Sequence, residues 1–176
     1  MSAPAPIPEL HRALALGQIP AGGLEREVVA TPAECAAVAA RLLIPGVIAL
    51  SCRFRLAPAG GGVVAAEGDL AAKVSRECVV TLEAFDMDVA EHFRVRFVPD
   101  AELSDDDIDA LDLGADDEIG YSGSHIDLGE AAVEQLALAL DPYPRMPGAA
   151  LDEAEDAAAK QAASPFAALA RRAQRG

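Results

Sequence analysis

The sequence predicts an α+β fold: an antiparallel β-sheet with packed helices, an acidic loop and a C-terminal helical tail. Three observations predict it. From Val47 to Pro99, apolar and polar residues alternate with the period of two that marks half-buried strands. Two flanking segments, Thr31 to Leu43 and Asp127 to Leu140, instead carry apolar residues at helical spacing behind capping signals. Between Arg96 and Arg145 lie fourteen Asp and Glu residues and no Lys or Arg.

The proline-rich start gives way at Leu24 to a short strand ending in Val28, Val29 and Ala30. Thr31 can then cap a helix, Pro32 suits its first position, and Glu34 stands three residues after the cap. Cys35, Val38, Ala39, Leu42 and Leu43 form the apolar face of that helix, and Pro45-Gly46 ends it. In the first strand of the sheet Ile48, Leu50, Cys52, Phe54 and Leu56 point one way, Ser51, Arg53 and Arg55 the other. Gly60 to Gly62 makes a turn. Val63 to Leu82 then reads as one long strand, or two broken near Gly68, with Val74, Cys78, Val80 and Leu82 on one side; Arg76 falls among them and spoils the pattern. Phe93, Val95 and Phe97 alternate with His92, Arg94 and Arg96 until Pro99. Short turns between consecutive strands imply an antiparallel sheet over residues 24–99 packed on one face.

After the acidic stretch, Asp127 and Glu130 have capping-box spacing ahead of Val133, Leu136, Ala137 and Leu140, and Asp141-Pro142 ends that helix. Residues 1–148 are expected to form one α+β domain. Residues 149–176 follow as an alanine-rich linker and a short docking helix, in which Ser164 can cap, Pro165 opens the helix, and Phe166, Leu169 and Ala170 form an apolar stripe opposite Arg171, Arg172 and Arg175. A helix of about ten residues is marginal in water unless something covers its stripe. Phe166 and Leu169 are therefore candidate partner-binding residues, with docking on the chain's own domain as the alternative.

Of the chain's 29 acids, fourteen sit in the one stretch, so the other fifteen face fourteen bases and the net charge of −15 is local. Its densest part is Asp105, Asp106, Asp107, Asp109, Asp112, Asp116, Asp117 and Glu118. Such a segment attracts a basic protein surface from about a Debye length, roughly 8 Å at physiological salt, and repels nucleic acid. The competing reading is a solvated loop that keeps an alanine-rich chain soluble.

The most apolar stretch, Ala36 to Leu50, is broken by Arg41 and Pro45-Gly46 and falls short of the roughly 20 residues that span a bilayer. The start lacks the basic and apolar regions of a secretory signal, so a cytoplasmic location is expected. Cys35, Cys52 and Cys78 are dispersed, without a C-x-x-C pair, and read as buried small hydrophobes rather than disulfide or metal ligands. His11, His92 and His125 are likewise dispersed, so no metal or other cofactor is expected.

No enzyme is expected either. Tyr121-Ser122-Gly123-Ser124 lacks the strand-to-helix setting of a nucleophile elbow and reads as a turn, and Gly60 to Gly62 lacks the Lys-Ser/Thr and following helix of a phosphate loop. Asp105 to Asp107 lack the alternate spacing of an EF-hand. One pattern survives: Arg53 and Arg55 on one strand and Arg94 and Arg96 on another would share the exposed sheet face and could hold RNA phosphate. Against it stands cross-strand pairing with carboxylates, for which Glu77, Glu83 and Glu91 are candidates.

Three blocks, Val74 to Phe85, Ile126 to Leu140 and Ser164 to Ala170, in this order and spacing, together resemble the YceD family of large ribosomal RNA subunit accumulation proteins. With the Pro142 to Arg145 exit they look like an alphaproteobacterial-type member. Relatives often carry C-x-x-C in the first block, whereas here Thr81 stands at the second cysteine's place. The resemblance implies a non-enzymatic factor for assembling the large ribosomal subunit or accumulating its RNA. With the acidic stretch, the expected partner is a basic ribosomal protein or an assembly intermediate of the large subunit, the alternative being direct ribosomal RNA contact through Arg53, Arg55, Arg94 and Arg96. No membrane partner is expected.

Overall fold

The computed structural model describes residues 8–102 and 116–149. In chain order its elements are β1 (Ala13–Ala15), β2 (Leu24–Val29), α1 (Pro32–Arg41), β3 (Gly46–Gly60), β4 (Val63–Glu77), β5 (Ala84–Pro99), β6 (Asp117–Tyr121), β7 (His125–Asp127) and α2 (Leu128–Ala139). The main sheet runs β2-β3-β4-β5-β6, and β1 and β7 form a separate antiparallel pair. Both helices pack against the sheet, so the architecture is the expected α+β one.

The sheet is antiparallel from β2 to β5, but β6 joins it parallel to β5, with Val95 opposite Asp117 and Arg96 opposite Glu118. A parallel neighbour needs a long connection, and seventeen residues separate Pro99 from Asp117. Asp117 and Glu118, expected in the acidic loop, are therefore strand residues, and the sheet does not stop at residue 99.

Period-two alternation turns one face inward: Leu50, Cys52, Phe54 and Leu56 from β3, Val64, Ala66, Leu70 and Val74 from β4, and Val89, Phe93, Val95 and Phe97 from β5 are all buried. β4 runs unbroken through Gly68 because the glycine is a socket, not a break. A Cβ there would lie 2.1 Å from the tip of the Phe93 ring, which packs edge-on against Phe54 at 5.8 Å. The pattern ends at Cys78, which is buried; the chain then turns, leaving Leu82 exposed instead of in line with Val74. Leu82 (φ 59°) and Leu43 (φ 54°) adopt the left-handed conformation, at a cost of about 1–2 kcal/mol for a residue with a Cβ. Arg76 is buried on the apolar side, where its Nη2 donates to the carbonyl of Asp141 at 2.8 Å. The residue that spoils the alternation thus fastens the chain just beyond α2.

Thr31 caps α1 with both halves of the box in place: Glu34 N–H donates to Thr31 Oγ1 (3.3 Å) and Thr31 N–H to Glu34 Oε2 (2.7 Å). At α2 only half of the expected box forms. Asp127 Oδ1 accepts from Gly129 N (2.9 Å) and Glu130 N (3.2 Å), while the Glu130 carboxylate turns away to Arg41 on α1, at 2.5 and 2.7 Å. The face α2 buries is also rotated from the expected stripe. Leu128, Ala132, Val133 and Leu136 are buried, but so are Gly129, Ala131 and Gln135, whereas Ala137 is exposed.

The reason is the segment before β2, which lies over α2. Leu10 is fully buried, Leu128 N donates to Arg12 O (3.2 Å), and Arg12 N donates to Asp127 Oδ1 (2.8 Å). His11 bonds the other Asp127 oxygen. The Arg12 guanidinium forks onto Glu34 (2.7 and 2.9 Å), and Arg41 reaches Glu9 (3.0 Å) as well as Glu130. These charges clamp both helices and the leading segment together.

Arg12, with the Thr31 N–H, holds the Glu34 carboxyl down at about 2, far below its unfolded value. The pKa is lowered on folding, so the stabilisation is complete above about pH 4.5 and fades as pH falls towards 2. Glu34→Gln is expected to melt below the parent at pH 7, with the gap closing between pH 4.5 and 2. Thermal melts of both proteins across that range check it; a gap that does not change with pH would mean that the ion pair contributes nothing.

Candidate partner-binding surface

The face of the main sheet away from the core carries its charges in cross-strand rows. Register sets Glu27, Arg53, Asp69 and His92 opposite one another in one row, and Glu25, Arg55, Glu67 and Arg94 in the next. In the third, Arg96 stands opposite Glu118. The four arginines are brought together as expected, but signs alternate along each row. Arg53 Nη2 lies 3.7 Å from Glu27, Arg55 3.3 Å from Glu67 and 3.2 Å from Asp69, Arg94 3.3 Å from Asp116, and Arg96 2.9 Å from Glu118. His92 Nδ1 bonds Asp69 at 2.8 Å and, with Arg55 and Arg53, holds that carboxyl below its ordinary range.

Around the four arginines, Glu25, Glu27, Glu67, Asp69, Asp116 and Glu118 outnumber Arg53, Arg55, Arg94 and Arg96 six to four, and farther along the same face Lys73 stands opposite Asp88 and Ser75 opposite Asp86. Each exposed pair is worth only about 0.2–1 kcal/mol, so an incoming phosphate could displace one; the surplus negative field is what opposes it. A groove of about 490 Å³ on the same face, floored by Gly23, Ala57 and Ala65, is walled by Glu25, Arg55, Glu67, Arg94 and Asp116 and so offers both signs at once.

The partners of the arginines are not Glu77, Glu83 or Glu91. The spacing that finds the true ones was present: Glu25/Glu27 and Glu67/Asp69 repeat the i, i+2 interval of Arg53/Arg55, and the Gly60 to Gly62 turn sets how Glu67 and Asp69 meet them. Of the acidic cluster, Asp116, Asp117 and Glu118 lie at the sheet edge beside this face, with Asp116 and Glu118 engaged by arginines. Asp105, Asp106, Asp107, Asp109 and Asp112 lie outside the described residues, as do Phe166 and Leu169.

Elsewhere the chemistry is sparse. Ser124 Oγ and His125 Nδ1 are 3.0 Å apart where the turn enters β7, but the nearby Asp127 serves His11 and the α2 cap. Cys52 is pushed up to about 12 by burial. Cys78 is held down at about 7 by hydrogen bonds from Thr81 and from the Met146 backbone N–H, which reaches its sulfur at 3.4 Å. Among the described residues no three His, Cys, Asp or Glu side chains converge as a metal site, and none of the helices is long and apolar enough to cross a membrane.

The family model described as large ribosomal RNA subunit accumulation protein YceD matches residues 66–171, from near the start of β4 to beyond α2. The chain belongs to the YceD family. It is accordingly a non-enzymatic factor with a role in large-subunit ribosomal RNA accumulation. The matched span takes in Cys78, Thr81 and the Ser164 to Ala170 block; in this YceD protein Thr81 places an N–H, not a second thiol, 3.5 Å from the Cys78 sulfur. Comparison with curated proteins and with solved structures gave no match.

Proposed function

We propose that this YceD protein supports large-subunit assembly by receiving a basic ribosomal protein, or a basic region of an assembly intermediate, on its acidic segment, with Asp105, Asp106, Asp107, Asp109, Asp112, Asp116, Asp117 and Glu118 as the contact residues. Phe166 and Leu169 supply apolar contacts to the same partner from a tail, residues 149–176, that follows a body formed by residues 1–148. The observation that carries the proposal is the one-signed charge of the chain between Arg96 and Arg145, bordered by a sheet face on which carboxylates are in excess. A basic partner would be drawn to such a field, whereas RNA would meet arginines already paired with acids. The Pro142 to Arg145 exit supports an alphaproteobacterial-type member, and the proposed setting is the cytoplasm.

The test is a pulldown from cell extract with and without nuclease. Retention of a basic ribosomal protein after nuclease is the expected result. Loss of every ribosomal component would instead assign the contact to RNA and return Arg53, Arg55, Arg94 and Arg96 to the centre of the site.

A further inference from the structure

Among the described residues seven large apolar side chains stand exposed, and five of them, Leu43, Val79, Leu82, Leu138 and Tyr143, lie at one end of the sheet. Gly46 pairs with Ser75 there, so the α1–β3 connection holding Leu43 borders the β4–β5 turn that carries Val79 and Leu82. The exit from α2 is tied to the same turn: Val79 N donates to Pro144 O at 3.0 Å, and Arg76 to Asp141 O. Leu43 and Leu82 are also the two non-glycine residues of the described chain held at positive φ, where Gly or Asn is the ordinary choice. Two leucines kept in that conformation and turned to solvent, beside three more exposed apolar groups, mark a surface that something covers. Glu77 and Glu83 flank the β4–β5 turn, and Glu134 and Asp141 lie on α2 and its exit; of the cations there, Arg145 is exposed and Arg41, two residues before Leu43, is already engaged by Glu9 and Glu130. Glu134 and Leu138 stand at i and i+4, so an acid and an apolar side chain share one stripe of α2.

We infer that this apolar end is the seat of the chain's own segment 164–172, whose Phe166 and Leu169 cover Val79, Leu82, Leu138 and Tyr143 while Arg171 and Arg172 face the surrounding carboxylates. The described chain ends at Ala149, three residues past Met146, whose N–H bonds Cys78 at this same end. Phe166 follows seventeen residues later, a tether that reaches about 55 Å when extended and keeps the segment at an effective concentration of about millimolar. Residues 164–176 contain Arg171, Arg172 and Arg175 and no acid, the complement of the acidic rim. In the free protein this seat occupies the stripe, and a partner that uses Phe166 and Leu169 must displace it.

A photo-cross-linking residue, benzoylphenylalanine, placed at Leu82 in the purified full-length chain tests the inference with no ribosomal component present, so its outcome is separate from that of the pulldown. Cross-linked peptides joining position 82 to residues 164–172 within one chain are expected, and Phe166→Asp with Leu169→Asp should abolish them. The same probe at Leu138 keeps the test independent of the turn's own fold. Cross-links that join two chains and rise with protein concentration would overturn the inference in favour of a second copy. Absence of any link to the tail from both positions would overturn it outright.

Discussion

Gly129→Ala is expected to lower the melting temperature by roughly 5–15 °C, corresponding to about 2–4 kcal/mol for a chain of this size. On an exposed helix the same change would stabilise by up to about 1 kcal/mol, so the sign alone is diagnostic. Here a Cβ would sit 2.3 Å from the carbonyl oxygen of Leu10, 2.8 Å from its carbon and 3.0 Å from Arg12 N. None of these atoms is the end of a movable side chain. The leading segment would have to lift, taking the fully buried Leu10 with it and breaking the bonds from Arg12 to Asp127 and from Leu128 to Arg12. A melting temperature equal to or above the parent's would show that residues 10–12 are not seated on α2.

Replacing Asp105, Asp106, Asp107 and Asp109 together by Asn is expected to slow association with a basic ribosomal protein by about tenfold at low salt while leaving dissociation nearly unchanged. Exposed charges steer encounter across a Debye length; they hold a formed complex weakly. Raising salt to 1 M shrinks that length to about 3 Å, so parent and variant should then associate at similar rates. Stopped-flow or surface-based kinetics at two salt concentrations would read both. An unchanged rate at low salt would reduce the segment to a solubility device. Circular dichroism should report no loss of structure, because Asn keeps the size and shape of Asp and removes only its charge.

Much of the local structure was legible. The Thr31/Glu34 box, the alternation along β3 from Leu50 onward and along β5, the turn at Gly60 to Gly62 and the end of α2 before Asp141-Pro142 follow from signals within a few residues of one another, whereas Ile48, expected in line with Leu50, is exposed because the register shifts between Val47 and Ala49. The candidate surface was half legible: alternation alone puts Arg53, Arg55, Arg94 and Arg96 on one face, but their partners depend on register. Glu67 and Asp69 meet Arg55 because a glycine turn of one particular length closes the hairpin, and Asp116 and Glu118 arrive only when β6 adds to the edge.

By itself, then, the sequence determined the helices, the period-two sheet, the local origin of the net charge and, through three short blocks, the family. Each of these depends on side chains close in the chain or on composition, for which no distant contact need be known. Only the tertiary structure decided that Gly68 and Gly129 are sockets, for Phe93 and for the backbone of Leu10; that Glu130 leaves its own cap for Arg41; that Arg76 is buried to hold Asp141; and that β6 runs parallel to β5. These join residues far apart in sequence. Their physical basis is close packing and the pairing of buried or half-buried polar groups, which select a partner by position in space and leave no periodic trace along the chain.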